Sequence, residues 1–198
     1  VMGDYFLLPG RVMWTKNIEL GIGAFRRFRA MRPAFERFRL VIAGIVDRKS
    51  EPYLSRLREL AGADGGIEFR IFPSDEELSA LYAGCYAVLF TAFNEDWGIV
   101  PVEAMAFGKP VIAVNRGGPR ESIEHGVQGY LEEAEVEAFA GRMADLAASP
   151  AAAEAMGRAG RERARLFSWD RLTQRVDDEI ERLCHVHRRG LVPAGAGR

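Results

Sequence analysis

Two basic residues near the start of the chain stand five positions apart. Arg11 and Lys16 lie in the segment 9–16, directly after the apolar run 5–8. A cation at the start of a helix is unfavourable alone, because the helix N-terminus already carries partial positive charge. A bound anion reverses this, and a forked guanidinium with a point-like ammonium suits a diphosphate. The segment therefore indicates either a diphosphate clamp or two solvated surface charges.

A second segment combines a glycine with the features of a helix start. Gly98 is a plausible N-cap, and Pro101 fits a first turn, where its missing N–H costs no helix bond. The amides of Gly98, Ile99 and Val100 would then be unpaired and aimed out of the helix end. Such an end is a ready anion cradle.

Two carboxylates flank this helix start. Glu95 precedes it, and Glu103 lies about one turn inside, among apolar residues. A carboxylate in either place can accept two hydrogen bonds from vicinal hydroxyls. Alternatively, Glu95 is a loop acid near a helix dipole. Glu103 needs partners if it is buried, because an unpaired buried charge is costly.

A third segment, 115–121, reads Asn-Arg-Gly-Gly-Pro-Arg-Glu. Its glycines permit a close backbone approach or a positive φ. The segment indicates either part of a site or an ordinary strand-to-helix turn.

The surrounding elements decide where these segments meet. Short apolar runs predict strands at 5–8, 40–46, 67–72, 86–90, 111–114 and 129–131. Helical patterns occupy about 16–31, 52–61, 75–84, 98–107 and 118–124. The alternation predicts an α/β fold, a Rossmann-like doubly wound parallel sheet of six strands. Its strand order reverses between strands 1 and 4, so ligands are expected at the loops 9–16 and 91–98.

The chain changes character after about residue 135. Helical patterns occupy 136–148, 151–166 and 169–186, and a Gly/Ala/Pro-rich tail follows. We expect one Rossmann-like domain at 1–188, with a C-terminal helical segment at about 136–188 and a flexible tail at 189–198. The first residue is Val1 rather than Met, which suggests a processed chain, an excised domain or a fragment.

Composition narrows the function classes. The 27 basic and 28 acidic residues give a net charge of −1, which argues against broad nucleic-acid binding. No apolar run approaches the roughly 20 residues that span a bilayer, and no signal peptide is visible. The two cysteines are far apart, so a reducing compartment is the default expectation. Without a DxD motif or a histidine cluster, no metal site is expected.

The Glu-x7-Glu pair of Glu95 and Glu103 resembles the signature of a large family of retaining glycosyltransferases, which includes sucrose, glycogen and mannosyl transferases. The loop with Gly10, Arg11 and Lys16, and the run 111–122, resemble the same family. Within this family, the sequences of these motifs are most similar to those of mannosyltransferases that build lipid-linked or polysaccharide glycans. The resemblance covers about residues 5–185. It implies the C-terminal, donor-binding half of a GT-B enzyme, with the N-terminal acceptor domain absent from this chain.

The resemblance also implies residue roles. Arg11 and Lys16, with Gly10, would hold the donor diphosphate. The catalytic residues would be Arg11, Lys16 and Glu95. Glu95 would bind sugar hydroxyls and Glu103 the ribose hydroxyls. The remaining donor-binding groups are Phe72, near the base, and the backbone at Gly98, Ile99 and Val100. The family often has Gly in the turn where this chain has Ile71-Phe72-Pro73, which leaves the identity of the base open, and it usually has Phe where this chain has Trp97.

The implied activity is transfer of a hexose to a glycan or lipid-linked acceptor, and mannose is the expected hexose. The donor would be GDP-mannose rather than a UDP-sugar, with no cofactor and no metal. The chain without its N-terminal domain would be inactive. The full enzyme would be cytoplasmic, with peripheral association at the inner face of a membrane. A non-catalytic nucleotide-binding or scaffold module, and a nucleotide-sugar epimerase, are the alternatives.

Overall fold

A computed structural model describes residues 3–62 and 65–190, with side chains up to residue 185. Its strands are β1 (Tyr5–Pro9), β2 (Arg39–Gly44), β3 (Ile67–Ile71), β4 (Ala87–Phe90), β5 (Val111–Val114) and β6 (Gly129–Glu132). Its helices are α1 (Ile18–Met31), α2 (Glu51–Ala61), α3 (Asp75–Gly84), α4 (Ile99–Ala106), α5 (Pro119–Ser122), α6 (Val136–Ala148), α7 (Pro150–Ala164) and α8 (Trp169–Gly190). Three short 3₁₀ turns lie at Trp14–Lys16, Pro33–Phe35 and Arg165–Phe167.

The six strands form one parallel sheet in the order β3-β2-β1-β4-β5-β6. This confirms the predicted doubly wound Rossmann-like fold. Leu7 of β1 pairs with Val41 of β2 on one side and with Val88 of β4 on the other. The order therefore reverses at β1 and β4, and the crevice that binds ligands in such sheets opens at their carboxyl ends.

The central strands are buried on both faces, as their unbroken apolar runs predict. Every residue of β4 and β5 is buried, and so are all but the first of β1 and β2. An aromatic cluster fills the space under α1, where the rings of Phe28 and Phe35 stack with centroids 4.4 Å apart. Such packing makes the strand ends a rigid base for the site.

The predicted helix at 16–31 is split in the structure. Lys16 ends the 3₁₀ turn Trp14–Lys16, Asn17 takes a left-handed φ of 48°, and α1 begins only at Ile18. Asn tolerates this conformation because its short polar side chain can hydrogen-bond locally. Lys16 is thus presented by a turn in front of α1, rather than by the helix itself.

Other predicted boundaries also shift. The strand predicted at 40–46 ends at Gly44, where the chain passes against the β1 loop. The helix predicted at 118–124 shortens to four residues. Pro150 begins α7, as the fixed φ of proline at a helix start allows, and the 3₁₀ turn Arg165–Phe167 replaces the end of the helix predicted at 151–166.

The chain divides into two compact units, Val1–Ala164 and Arg165–Arg198. In the first, α6 packs on α1 and α7 packs on α4. The second contains α8, which extends to Gly190, so the tail expected at 189–198 begins in helix and its residues 191–198 lie outside the described part. Among the described helices, none is both long and apolar enough to cross a membrane.

Candidate donor-binding site

A cavity of about 410 Å³ opens at the carboxyl ends of β1 and β4. The two loops that sequence topology singles out supply most of its walls, together with the last residues of the strands. Seven of the nine residues predicted for the site line it: Gly10, Arg11, Lys16, Glu95, Gly98, Ile99 and Val100. Phe72 and Glu103 stand outside this lining.

The loop after β1 is fixed by its backbone. Gly10 has φ of 136° and donates its N–H to the carbonyl of Ala43 at 2.9 Å. A Cβ at Gly44 would lie 1.8 Å from the carbonyl oxygen of Gly10, so only glycine allows this approach. The N–H of Val12 donates to the carbonyl of Ile45 at 2.8 Å. The segment around Arg11 is therefore anchored on the end of β2.

An ion pair joins two of the predicted catalytic side chains across the cavity. Lys16 Nζ contacts Glu95 Oε2, and the two side chains are 26% and 28% exposed. The loops that carry them are also tied by backbone groups. Thr91 Oγ1 donates to the carbonyl of Lys16 at 2.7 Å, and the N–H of Phe93 donates to the carbonyl of Thr15 at 3.0 Å. The cation and the carboxylate are thus held at one place by both loops.

The start of α4 faces the same cavity. Gly98 is the N-cap, as predicted, with φ of 78° in the left-handed region. In the described part of the chain, no backbone carbonyl accepts from the amides of Gly98, Ile99 or Val100. The helix has only eight residues, but its first amides and their partial positive charge are suited to an anion.

The glycine pair after β5, Gly117 and Gly118, contacts the backbone of the loop that carries Glu95. The N–H of Gly118 donates to the carbonyl of Glu95 at 2.9 Å. A Cβ on Gly118 would lie 1.9 Å from the carbonyl oxygen of Trp97, and one on Gly117 would lie 2.2 Å from that of Glu95. The segment 115–121, for which the sequence allows either a site or a turn, therefore supports the backbone that carries Glu95.

Glu103 points to a different neighbour. Its Oε2 accepts a hydrogen bond from the hydroxyl of Tyr82 on α3, at 2.7 Å. Tyr82 is 2% exposed, and its ring stacks on Phe107 with centroids 5.3 Å apart and planes 5° from parallel. Burial raises the pKa of the Tyr82 hydroxyl, and the negative charge of Glu103 raises it further, so the phenol stays a donor.

Sequence reasoning missed Tyr82. The signal in the sequence is the apolar run around Glu103, which implies that a partner must exist without naming it. The partner lies on another helix, 21 positions away, and the pairing of α3 with α4 cannot be read from spacing.

Phe72 lies at the end of β3. It is 64% exposed and has φ of 57°, which a bulky side chain adopts only at a cost. Its N–H donates to the carbonyl of Gly44 at 2.9 Å, which holds the turn in place. The predicted strand 67–72 therefore ends one residue early. A second cavity, of about 460 Å³, lies beside this turn, with Ile71, Pro73 and Glu77 in its walls.

Metal ligands are not gathered at this site. Over the ranges 3–62 and 65–190, no group of three or more His, Cys, Asp or Glu side chains is placed to hold a metal ion. The charges that line the cavity come from Arg11, Lys16 and Glu95. The arrangement suits a ligand that carries its own negative charge together with hydroxyl donors.

The fold is that of a Rossmann-like domain of the kind found in GT-B enzymes. The family model for glycosyl transferases group 1 matches residues 2–163, and the chain belongs to that family. The human alpha-1,3/1,6-mannosyltransferase ALG2 is 34% identical over 192 residues, which cover 91% of this chain and 46% of ALG2. The chain thus spans about half the length of the curated relatives it matches.

Solved structures agree on the fold. HepE from Anabaena, in complex with UDP, superposes with a TM-score of 0.78 at 22% identity, over 90% of this chain and 49% of HepE. The C-terminal domain of the group 1 glycosyl transferase LpcC from Francisella tularensis gives a TM-score of 0.71 at 23% identity, over 83% of this chain and 86% of that domain. This second match covers most of both chains, as one half of a GT-B pair would.

Proposed function

We propose that the chain is the donor-binding domain of a retaining glycosyltransferase that transfers mannose from GDP-mannose to a glycan or lipid-linked acceptor. One observation carries the proposal: Arg11, Lys16 and the start of α4 converge on a single cavity with Glu95. The mannosyltransferase relative supports mannose as the sugar. The UDP bound to HepE supports a nucleotide donor.

The diphosphate would occupy the space between Arg11, Lys16 and the amides of 98–100. Cleavage of a sugar–diphosphate bond builds negative charge on the leaving phosphate. Cations and oriented amides that are already in place stabilise that charge without reorganising. No catalytic metal is needed in this scheme, because the protein supplies the positive charge.

Glu95 would bind hydroxyls of the transferred sugar. Its carboxylate reaches the cavity and is paired with Lys16, so it lies next to the proposed phosphate position. A carboxylate there orients the sugar and stabilises the positive charge that develops at its anomeric carbon. Retention of configuration would follow from attack on the face that the diphosphate leaves.

The nucleoside would extend toward α3. Glu103 would accept hydrogen bonds from the ribose hydroxyls, and Phe72 would contact the base at the end of β3. An exposed aromatic ring held in a strained turn is suited to stacking on a base.

The acceptor and much of the catalytic machinery would belong to an N-terminal domain outside this chain. In this scheme the chain alone binds the donor and does not transfer the sugar. The full enzyme would act in the cytoplasm at the inner face of a membrane, where lipid-linked acceptors are presented.

The test is calorimetry of the 198-residue chain with GDP, UDP and their sugars. Arg11→Ala should weaken nucleoside diphosphate binding about 10- to 100-fold, the worth of a hydrogen-bonded charge pair. Arg158→Ala removes an exposed arginine of α7 and should bind like wild type. A folded chain that binds neither nucleotide, or an Arg11→Ala variant equal to wild type, would overturn the proposal. Donor conversion without an acceptor would favour an epimerase.

A further inference from the structure

The contact between Tyr82 and Glu103 joins two helices, and neither residue is part of the cavity lining. Tyr82 lies on α3 and Glu103 on α4, and the hydroxyl of one donates to the carboxylate of the other at 2.7 Å. Tyr82 is almost fully buried, whereas Glu103 stays partly exposed. The hydrogen bond therefore runs from the interior outward to a carboxylate that solvent or a ligand can still reach.

The ring of Tyr82 has little freedom to move. It lies flat against Phe107, which follows Glu103 by four residues, and the N–H of Phe107 donates to the carbonyl of Glu103 at 3.0 Å. The same stretch of chain thus carries the carboxylate and the surface that fixes its donor. Stacked aromatic pairs and a buried hydroxyl together define one orientation for the bond.

This bond occupies one of the two carboxylate oxygens. Within the described ranges, Tyr82 is the hydrogen-bond donor that reaches the Glu103 side chain, and it reaches Oε2. An ionised carboxylate has about four acceptor sites on its two oxygens, so Oε1 keeps its capacity for hydroxyl donors. A glutamate fixed in this way loses less side-chain freedom on binding than a mobile one.

We propose that Tyr82 is a positioning residue that holds the Glu103 carboxylate for the two ribose hydroxyls of a nucleoside diphosphate. The proposal deepens the function proposed above and rests on it. Tyr82 acts through Glu103 and does not contact the ligand. A phenol is protonated at neutral pH in any case, and burial raises the pKa of Tyr82, so the hydroxyl stays a donor above neutral pH as well.

The test compares GDP and UDP with their 2′,3′-dideoxy forms by calorimetry on the full chain. Wild type should bind the ribose form at least about tenfold more tightly, as expected for hydroxyls bonded to a charged group. Tyr82→Phe keeps the ring and removes the hydroxyl. It should reduce this ratio to about threefold or less, mainly by weakening the ribose form. A purely structural role would weaken both forms equally and leave the ratio intact.

A matched control lies on the other side of the sheet. The hydroxyl of Tyr53 on α2 donates to Glu19 on α1, a second Tyr–Glu bond between helices. Tyr53→Phe should leave the ratio at its wild-type value. If Tyr82→Phe does not fold, Phe107→Leu removes the stacking surface while keeping the phenol, and should lower the ratio by an intermediate amount.

The outcomes separate the two proposals. Wild type that binds no nucleotide overturns the proposed function and the role of Tyr82 with it. If wild type binds both forms without preferring ribose, the role of Tyr82 alone is overturned. The same follows if Tyr82→Phe, or the substitute Phe107→Leu, keeps the wild-type ratio. An equal fall of the ratio in Tyr53→Phe would also overturn it, since the effect would not be specific to Glu103.

Discussion

Glu95 and Glu103 are eight positions apart, yet the fold gives them opposite surroundings. Glu95 lies in a loop, lines the cavity and pairs with the partly exposed cation of Lys16. Glu103 lies within α4 and accepts from the buried phenol of Tyr82. A charge pair near water exchanges partners readily, because the net gain from such a pair is small. A hydrogen bond from a buried, stacked ring is far less exchangeable.

The difference fits a division of work within the proposed donor site. At Glu95 the protein offers groups that a charged ligand can separate and bind individually. At Glu103 it offers a carboxylate whose position is set before binding. The same Glu-x7-Glu spacing therefore provides one adaptable and one preorganised group, and the following variants test each in turn.

The largest effect should come from Gly118, which supports the backbone of the loop that carries Glu95. Gly118→Ala places a Cβ where the carbonyl of Trp97 lies, 1.9 Å away, and the nearest atoms are all backbone, which cannot easily shift. We expect the free energy of unfolding to fall by about 1–3 kcal/mol, as in overpacked cores. Nucleotide-sugar affinity should fall at least about tenfold, because the loop of Glu95 must move. Chemical denaturation and calorimetry measure the two effects.

Gly141 is a matched control, because the same change to alanine there displaces no neighbouring atom. A Cβ at Gly141 in α6 would meet nothing within 4 Å, so Gly141→Ala should stabilise the helix by about 0.5–1 kcal/mol and leave binding unchanged. Full nucleotide-sugar affinity in Gly118→Ala would contradict the idea that the glycine pair sets the position of Glu95.

The fold was predictable from sequence because its signals are local. Unbroken apolar runs and the turns between them indicate six parallel strands, and the reversal between β1 and β4 then locates the cavity. Boundaries were less predictable: a helix period starting near Lys16 hides the turn at Asn17, which depends on a left-handed residue rather than on periodicity.

The site was only partly predictable for a related reason. The predicted residues in the loops after β1 and β4 line one cavity, because topology brings those two strand ends together. Tyr82 and Gly118 were not assigned, because each acts on a partner more than 20 positions away through helix packing or backbone contact. Such contacts depend on how elements dock, which spacing within one segment does not encode.

Variants of Phe72 test whether its exposed ring contributes to binding of the base. Phe72→Gly relieves a positive φ that costs a non-glycine residue about 1–2 kcal/mol. The added freedom of the unfolded glycine chain offsets part of this gain, so stability should stay level or rise by up to about 1 kcal/mol. Nucleotide affinity should nevertheless fall about tenfold, since the proposed stacking of the base on the Phe72 ring would be lost.

Phe72→Leu is the companion variant, because it keeps the strain and removes only the aromatic ring. It should lose affinity like Phe72→Gly without the gain in stability, as thermal unfolding and nucleotide titration would show. Wild-type affinity in both variants would exclude Phe72 from the base site.

The smallest effect should come from the ion pair itself. Glu95→Gln removes the carboxylate that competes with phosphate for Lys16, so GDP or UDP without a sugar should bind about two- to fivefold more tightly, the range for a partly exposed pair. Glu103→Gln makes the same change eight residues on and should weaken binding of the same ligand instead, because it would remove the proposed acceptor of the ribose hydroxyls. Opposite signs in titrations at one ionic strength would separate the two ends of the site. Weaker binding in both variants would mean that Glu95 contributes to nucleotide binding directly, and the contrast between an adaptable and a preorganised glutamate would not hold.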